Sequence, residues 1–303
     1  MKRGAVLSIL FCCLLSGCIF HTPYDVEQAK RSELIVPDDA YHLAKQRFTV
    51  LENNEYEKSG RIFYVENEQE LAKLLQYMID TDQNEVSYQS KQTLDLDDVS
   101  KTLSILNPFD ISLRQNDTSY TNAKGDILYV SHQITITIPD ERFSLAQAEA
   151  KQRVQEIIDD DMSLDEKIAA IHDNIILSAR YDEQQAETNS ALFQASGVLL
   201  DGSGVCSGYS RAFLLMAKEA GIDAVYVSGE AMNHGWNYVR GDQGWRHIDI
   251  TWDDPVPDKE NRVLSTYLNM EESSFFYDNL HILKNTEKTT LQEIINSFFS
   301  NHS

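Results

Sequence analysis

"GSGVCSGYSRAF", residues 202–213, decides how this chain is read. It holds Cys206, the only cysteine beyond residue 18. With Cys12, Cys13 and Cys18 crowded at the N-terminus, no disulfide framework is available to the body of the chain. Gly202 and Gly204 precede the thiol, residues 206–220 have helix-forming composition, and Gly221 is placed to end the helix. Cys206, Tyr209, Phe213, Met216, Ala217 and Ala220 then share one helical face, directing the thiol inward. Free N–H groups and the dipole at a helix N-terminus stabilise a thiolate. The glycines ahead of it would let a substrate backbone come close. A small buried cysteine would suit the same face, so this element alone leaves packing and chemistry both open.

The next segments add partners. Ala224 to Ser228 reads as an apolar strand. In "HGWNYVRGDQGWRHIDITWDDP", residues 234–255, two strands (234–240 and 245–251) flank the turn Gly241-Asp242-Gln243-Gly244. A loop centred there gives one register, with Trp236 opposite Asp249 and His247 opposite Tyr238. Side chains alternate, so His234 and Asp249 share a face as diagonal neighbours. A helix-N-terminal thiol, a histidine and a carboxylate behind it are what thiol acyl transfer requires. His247 lies on the same face and is the rival base. Trp236, Trp245 and Trp252 read as core and cleft walls, Asp253-Asp254-Pro255 as a turn, and His172 and His281 as structural.

These blocks, GSGVCSGYSRAF, HGWNYV and GWRHIDITWDDP, resemble the transglutaminase-like superfamily of papain-type cysteine enzymes, over about residues 150–283. The resemblance implies Cys206 as nucleophile, His234 as general base and acid, and Asp249 as the carboxylate that orients it. Gly235 and Arg246 stand where many relatives carry alanine and an aromatic residue. No cofactor or metal is implied, and nothing resembles the calcium sites of the animal enzymes. The oxyanion hole is not legible: the N–H of Cys206 is a natural donor, and Gln194 is the side-chain candidate. Two classes of function follow. One is an acyltransferase or amide hydrolase acting on a peptide or protein; the other is a non-catalytic binding module that keeps the fold.

Outward from this core, the N-terminus reads as an export signal. Residues 1–17 have a basic start, Lys2 and Arg3, and an apolar run from Ala5 to Leu15, too short to span a bilayer comfortably. The end, Leu15-Ser16-Gly17-Cys18, resembles the lipobox of bacterial lipoproteins, which implies lipid on Cys18 and an extracytoplasmic, membrane-anchored protein. Loss of the leader leaves 24 basic and 48 acidic residues, a formal charge of −24. Such a balance disfavours nucleic acid or anionic lipid as a partner.

Residues 18–60 read as a tether with one short helix around Asp38 to Val50. Residues 61–143 read as a smaller mixed domain: a strand at Arg61–Val65, helices at Asn67–Ile79 (capped by Asn67) and Asp97–Leu106, and an alternating strand at Asp126–Ile138. His132 is expected half-exposed on that strand. Residues 144–303 carry the main domain, opening with helices at Ser144–Asp159 (Ser144 as N-cap) and Ser163–Ser178 (a capping box). The acidic run Asp159–Asp161 reads as a solvated turn. The fold class is α+β, a cysteine-bearing helix packed on an antiparallel sheet, with a smaller N-terminal α/β-mixed domain.

Overall fold

The computed structural model describes residues 63–121, 126–259, 261–277 and 280–299. The leader, Cys18, the tether and its short helix lie outside them. The fold is α+β, and the chain divides into two units. One comprises residues up to Ser100 together with Leu113–Thr137; the other comprises Lys101–Ser112 and Ile138–Ser303. Among the described residues, no helix is long and apolar enough to cross a membrane.

The first unit is built on a four-stranded sheet in the order β1-β2-β4-β3. The strands are β1 (Phe63–Tyr64), β2 (Glu85–Ser90), β3 (Ser112–Thr121) and β4 (Ile127–Thr137). The helix Glu68–Asp80 begins where expected: the Asn67 side chain accepts the Glu70 N–H at 2.9 Å. Its buried Leu71, Leu74, Leu75 and Met78 follow the helical period. β2 and β3 escape the sequence reading, because "EVSYQS" is short and β3 is polar along most of its length. His132 departs from expectation. It is 1 % exposed and lies opposite Tyr88 on β2, whose ring stacks on it at 4.4 Å.

In the second unit, β7 (Ala224–Gly229), β8 (His234–Gly241) and β9 (Gly244–Ile248) form an antiparallel sheet in sequence order. Tyr238 pairs with His247 and Gly241 with Gly244, the register read from the sequence, with Gly244 at φ +97° closing the turn, but the second strand stops at Ile248 and not at Thr251, because Asp249 caps a short helix there. One core cluster joins Ala224, Val239 and Ile248 of this sheet to the helices Phe143–Ile157, Leu164–Ser178, Ala195–Asp201 and Cys206–Glu219. A second cluster joins Val225, Val227 and Trp236 to Phe275 and to Leu291 and Ile295 of the C-terminal helix Asn285–Phe298. The alternation along β7 thus feeds two cores.

Two local expectations need correction. The Phe143–Ile157 helix starts one residue early with Arg142, not Ser144, at the N-cap, because the Asp140 side chain takes the Arg142 N–H at 3.0 Å and turns the chain there. The Cys206–Glu219 helix does not bury one face only. Gly208 to Ala217 are buried all round, as a helix enclosed by other elements must be. The capping box at Ser163 and Glu166 forms as read, and Gly221, at φ +69°, follows the Cys206–Glu219 helix and its cap Ala220.

Candidate active site

Cys206 opens its helix behind Val205, a residue with no side chain able to cap the free N–H groups of the first turn. Those groups turn to the site instead. The N–H of Ser207 and that of Gly235 on β8 both point at the Cys206 thiol. Gly208 is required by packing: a Cβ there would run into the carbonyl oxygen of Leu192. Gly202 (φ +64°) adopts the left-handed conformation after the preceding helix, and Gly204 is buried in β6 (Ser203–Gly204) beside Val198. These two glycines serve chain reversal and packing.

His234, first residue of β8, hydrogen-bonds Cys206. Its Nε2 lies 2.6 Å from Asp249 Oδ2, so Nδ1 is the ring nitrogen left for sulfur. Asp249 is 1 % exposed and receives three further donors. Thr251 Oγ1 donates to Oδ1 at 2.6 Å, the Trp252 N–H reaches the same oxygen at 3.3 Å, and His281 Nε2 sits 2.8 Å from Oδ2. Asp249 therefore also caps the short helix Ile250–Asp253.

Electrostatics follow from these contacts. Burial pushes the Asp249 carboxyl up, but hydrogen bonds from His234, His281 and Thr251 overcome it and hold it at about 2. Burial disfavours charge on His234 too, yet Asp249 and the thiol raise it to about 9. Burial likewise pushes the Cys206 thiol up, and the hydrogen bond and charge of His234 with the two backbone N–H groups bring it below the ordinary thiol value. Thiol and imidazole form a coupled pair in which each favours the charged form of the other, thiolate beside imidazolium. Such a pair supplies a nucleophile and, on the same imidazole, a proton for a leaving group.

Aromatic rings wall the site. Trp252 lies 5.5 Å from His234 and 4.1 Å from His281, and Trp236 lies 6.0 Å from His234. Trp236 is 1 % exposed and belongs to the core; Trp245 and Trp252 are half-buried. His247 stands apart from the thiol. It stacks between Tyr238 (4.3 Å) and Phe275 (4.6 Å), and its Nδ1 accepts the Trp236 indole N–H at 3.1 Å. Burial drives its pKa down to about 3, so the ring is neutral across ordinary pH. Gln194 is also engaged elsewhere. Its amide donates to Asp110 at 2.9 Å and its carbonyl accepts from Arg211 at 2.9 Å, while Arg211 pairs with Asp110. The structure thus ties the oxyanion candidate into a packing network, where the Gln194 amide braces the Cys206 helix.

Two site residues were misread or missed. His281, structural on the sequence reading, is buried and shares one carboxylate oxygen with His234. Tyr181, in β5 (Arg180–Tyr181), reaches Cys206: its hydroxyl oxygen accepts the Cys206 backbone N–H. The Asp253-Asp254 pair does more than turn the chain. Asp253 accepts the N–H groups of Thr266 and Tyr267 at 2.8 and 2.9 Å and holds His172 Nε2 at 3.2 Å; Asp254 accepts the Tyr209 hydroxyl at 2.5 Å.

His234, Asp249 and His281 place three possible metal-ligand atoms within 4.8 Å of one another. The fit to a metal is poor. His281 Nδ1 is buried without a hydrogen-bond partner, whereas ligand histidines hold their second nitrogen on an acceptor. Both Nε2 atoms also address a single carboxylate oxygen at hydrogen-bond distances.

The family model for the transglutaminase-like superfamily matches residues 151–250, which contain Cys206, His234 and Asp249. No curated protein matches. Among solved structures, similarity extends to a protein from Cytophaga hutchinsonii described as a candidate cysteine protease (16% identity, 49% of this chain, 67% of that one, TM-score 0.30). It also extends to one described as a TGase (14% identity, 71% and 69%, TM-score 0.33). A third is the periplasmic domain of TgpA from Pseudomonas aeruginosa bound to ethylmercury (17% identity, 42% and 57%, TM-score 0.28). Residues 151–250 of this chain are a transglutaminase-like domain.

Proposed function

We propose that the second unit is a thiol acyl-transfer enzyme that acts on amide bonds of a peptide or protein through a thioester at Cys206. One observation carries the reading: a thiol at an uncapped helix N-terminus, hydrogen-bonded to a histidine that a buried carboxylate holds by its other nitrogen. The Cys206 thiolate attacks the carbonyl carbon and the carbonyl electrons move onto oxygen. Collapse of that adduct expels the amine, which takes its proton from His234. His234, now neutral, removes a proton from water or an acceptor amine as it attacks the thioester, and the thiolate returns. Asp249 fixes the imidazole so that Nδ1 faces sulfur and supports its charge.

Water as acceptor makes the protein an amide hydrolase, and an amine makes it a crosslinking acyltransferase. The same proposal sets this chemistry at the cell envelope, a reading supported by the leader-like residues 1–17 and by Cys18. The test is acylation by p-nitrophenyl acetate followed by mass mapping. The acetyl group is expected on Cys206 and absent from Cys206→Ala. A folded wild-type protein that stays unacylated favours the peptide-binding module. Partition into detergent, lost in Cys18→Ser, tests the anchor.

A further inference from the structure

We propose that Tyr181 is a catalytic residue, its phenolic hydroxyl the second donor of the oxyanion hole beside the backbone N–H of Cys206. The inference rests on the acyl-transfer reading and supplies the donor that Gln194, tied to Asp110 and Arg211, does not.

The placement is set by backbone pairing. β5 runs parallel to β6, with Tyr181 opposite Gly204, two residues before the thiol. The Arg180 N–H donates to Gly202 O at 3.1 Å and the Asp182 N–H to Gly204 O at 3.0 Å. Between these rungs the Tyr181 N–H goes to the Asp254 carboxylate, which also accepts the Tyr209 hydroxyl. The WDDP segment thereby fixes the strand that carries Tyr181, and the ring itself lies 6.3 Å from that of Tyr209. From this mooring the half-buried side chain brings its oxygen onto the Cys206 N–H.

An oxygen that accepts from the Cys206 N–H keeps its own O–H for another acceptor. When the thiolate adds to a carbonyl, the C–S bond forms and the C=O electron pair becomes an oxyanion beside both groups. The Cys206 N–H turns from the tyrosine oxygen to the oxyanion, and the phenol donates its hydrogen bond to the same atom. No proton is transferred by Tyr181. On collapse the C=O bond reforms, the leaving group departs with the His234 proton, and the N–H returns to the phenol. Burial and the neighbouring Cys206 charge push the Tyr181 hydroxyl up to about 12, which keeps it protonated, hence a donor, wherever the thiolate is formed.

Tyr181→Phe removes the hydroxyl and leaves the ring. Two thiol reactions separate its roles. Iodoacetamide alkylates sulfur without forming an oxyanion, whereas p-nitrophenyl acetate acylates through one. Tyr181→Phe is expected to slow acylation about 10²- to 10³-fold, as loss of one oxyanion donor does, while alkylation stays within about twofold. Acylation that is unchanged overturns the proposal, and acylation that speeds up makes Tyr181 a blocker of the hole. Equal losses in both reactions overturn it too, since the hydroxyl would then be setting the thiol or the fold. Wild-type protein that alkylates but never acylates removes the parent reading, an outcome distinct from wild-type acylation insensitive to Tyr181→Phe.

Discussion

Each unit of this molecule holds a nucleophile-type side chain, a histidine and an aspartate in series, and the two series sit in different surroundings. In the first, Ser90 Oγ lies 2.7 Å from His132 Nε2, and His132 Nδ1 lies 2.8 Å from Asp117 Oδ1. In the second, Cys206 hydrogen-bonds His234, whose Nε2 lies 2.6 Å from Asp249. Residue types and their order alone would rank them equal. The surroundings do not: Ser90 is 1 % exposed at the end of a strand, and its hydroxyl donates to the carbonyl of Gln92. Its orienting aspartate is the most exposed member, with 34 % of the side chain open to solvent. Cys206 is half-buried at a helix N-terminus with two N–H groups on its sulfur, and its aspartate is sealed in the core. The serine series satisfies a buried polar strand residue. The cysteine series holds a thiol of lowered pKa and an imidazole of raised pKa together at half-buried positions.

The comparison breaks first, and hardest, at the two nucleophile positions. Cys206→Ala should abolish acylation by p-nitrophenyl acetate, whereas Ser90→Ala should leave it within about twofold. Ser90→Ala should instead lower thermal stability by about 1–3 kcal/mol, the cost of a buried histidine nitrogen without a partner. Acyl transfer that survives in Cys206→Ala and vanishes in Ser90→Ala would reverse the assignment. Asp249→Asn comes next. It keeps the shape but favours the wrong imidazole tautomer, and single-turnover acylation should fall roughly 10- to 10⁴-fold. Asp117→Asn should not change it.

A pH series sharpens the contrast further. The thiolate–imidazolium pair exists above the lowered thiol pKa and below about 9, where His234 gives up its proton. Cleavage of an amide, whose leaving amine needs that proton, should fall as pH rises through about 9. Acylation by p-nitrophenyl acetate needs no protonated leaving group and should hold its rate there. Both should fall as pH drops through the thiol pKa. Parallel losses of the two reactions above pH 9 would show that His234 is not the proton donor.

The smallest effects separate the other two histidines. His281→Asn removes one donor from Asp249 and should slow acylation about threefold to tenfold, with the upper limb of the pH profile displaced. His247→Ala should cost stability through its lost stack on Tyr238 and Phe275, with acylation within about threefold of wild type. If His247→Ala proves as damaging as His234→Ala while both variants remain folded, the base has been misassigned.

What was legible in the sequence was what local rules constrain. The hairpin register needs only the turn Gly241–Gly244 and alternation, and these put Asp249 diagonal to His234. Cys206 stood out because its helix start, its glycines and its isolation as a thiol coincide in twelve residues. His281 was illegible for the opposite reason. It lies 32 residues beyond Asp249, outside any strand or helix, so no periodicity points it inward. Tyr181 sits on a two-residue strand, below the length at which alternation can be seen. His132 shows a different limit: period-two patterning tells which residues share a face, not whether other chain covers that face. Gln194 failed because an amide near a thiol in sequence says nothing about which neighbour claims its hydrogen bonds.

Gly235 carries a consequence for how this sequence can drift. A Cβ at that position would strike the hydroxyl of Tyr226 on the neighbouring strand, and the same residue supplies a backbone N–H to the thiol. Positions 226 and 235 therefore change as a linked pair: alanine at 235 demands a side chain at 226 that vacates the space now taken by the phenol. Introduced alone, Gly235→Ala would push β8 away from the sulfur, so that the path to an alanine here passes through position 226 first.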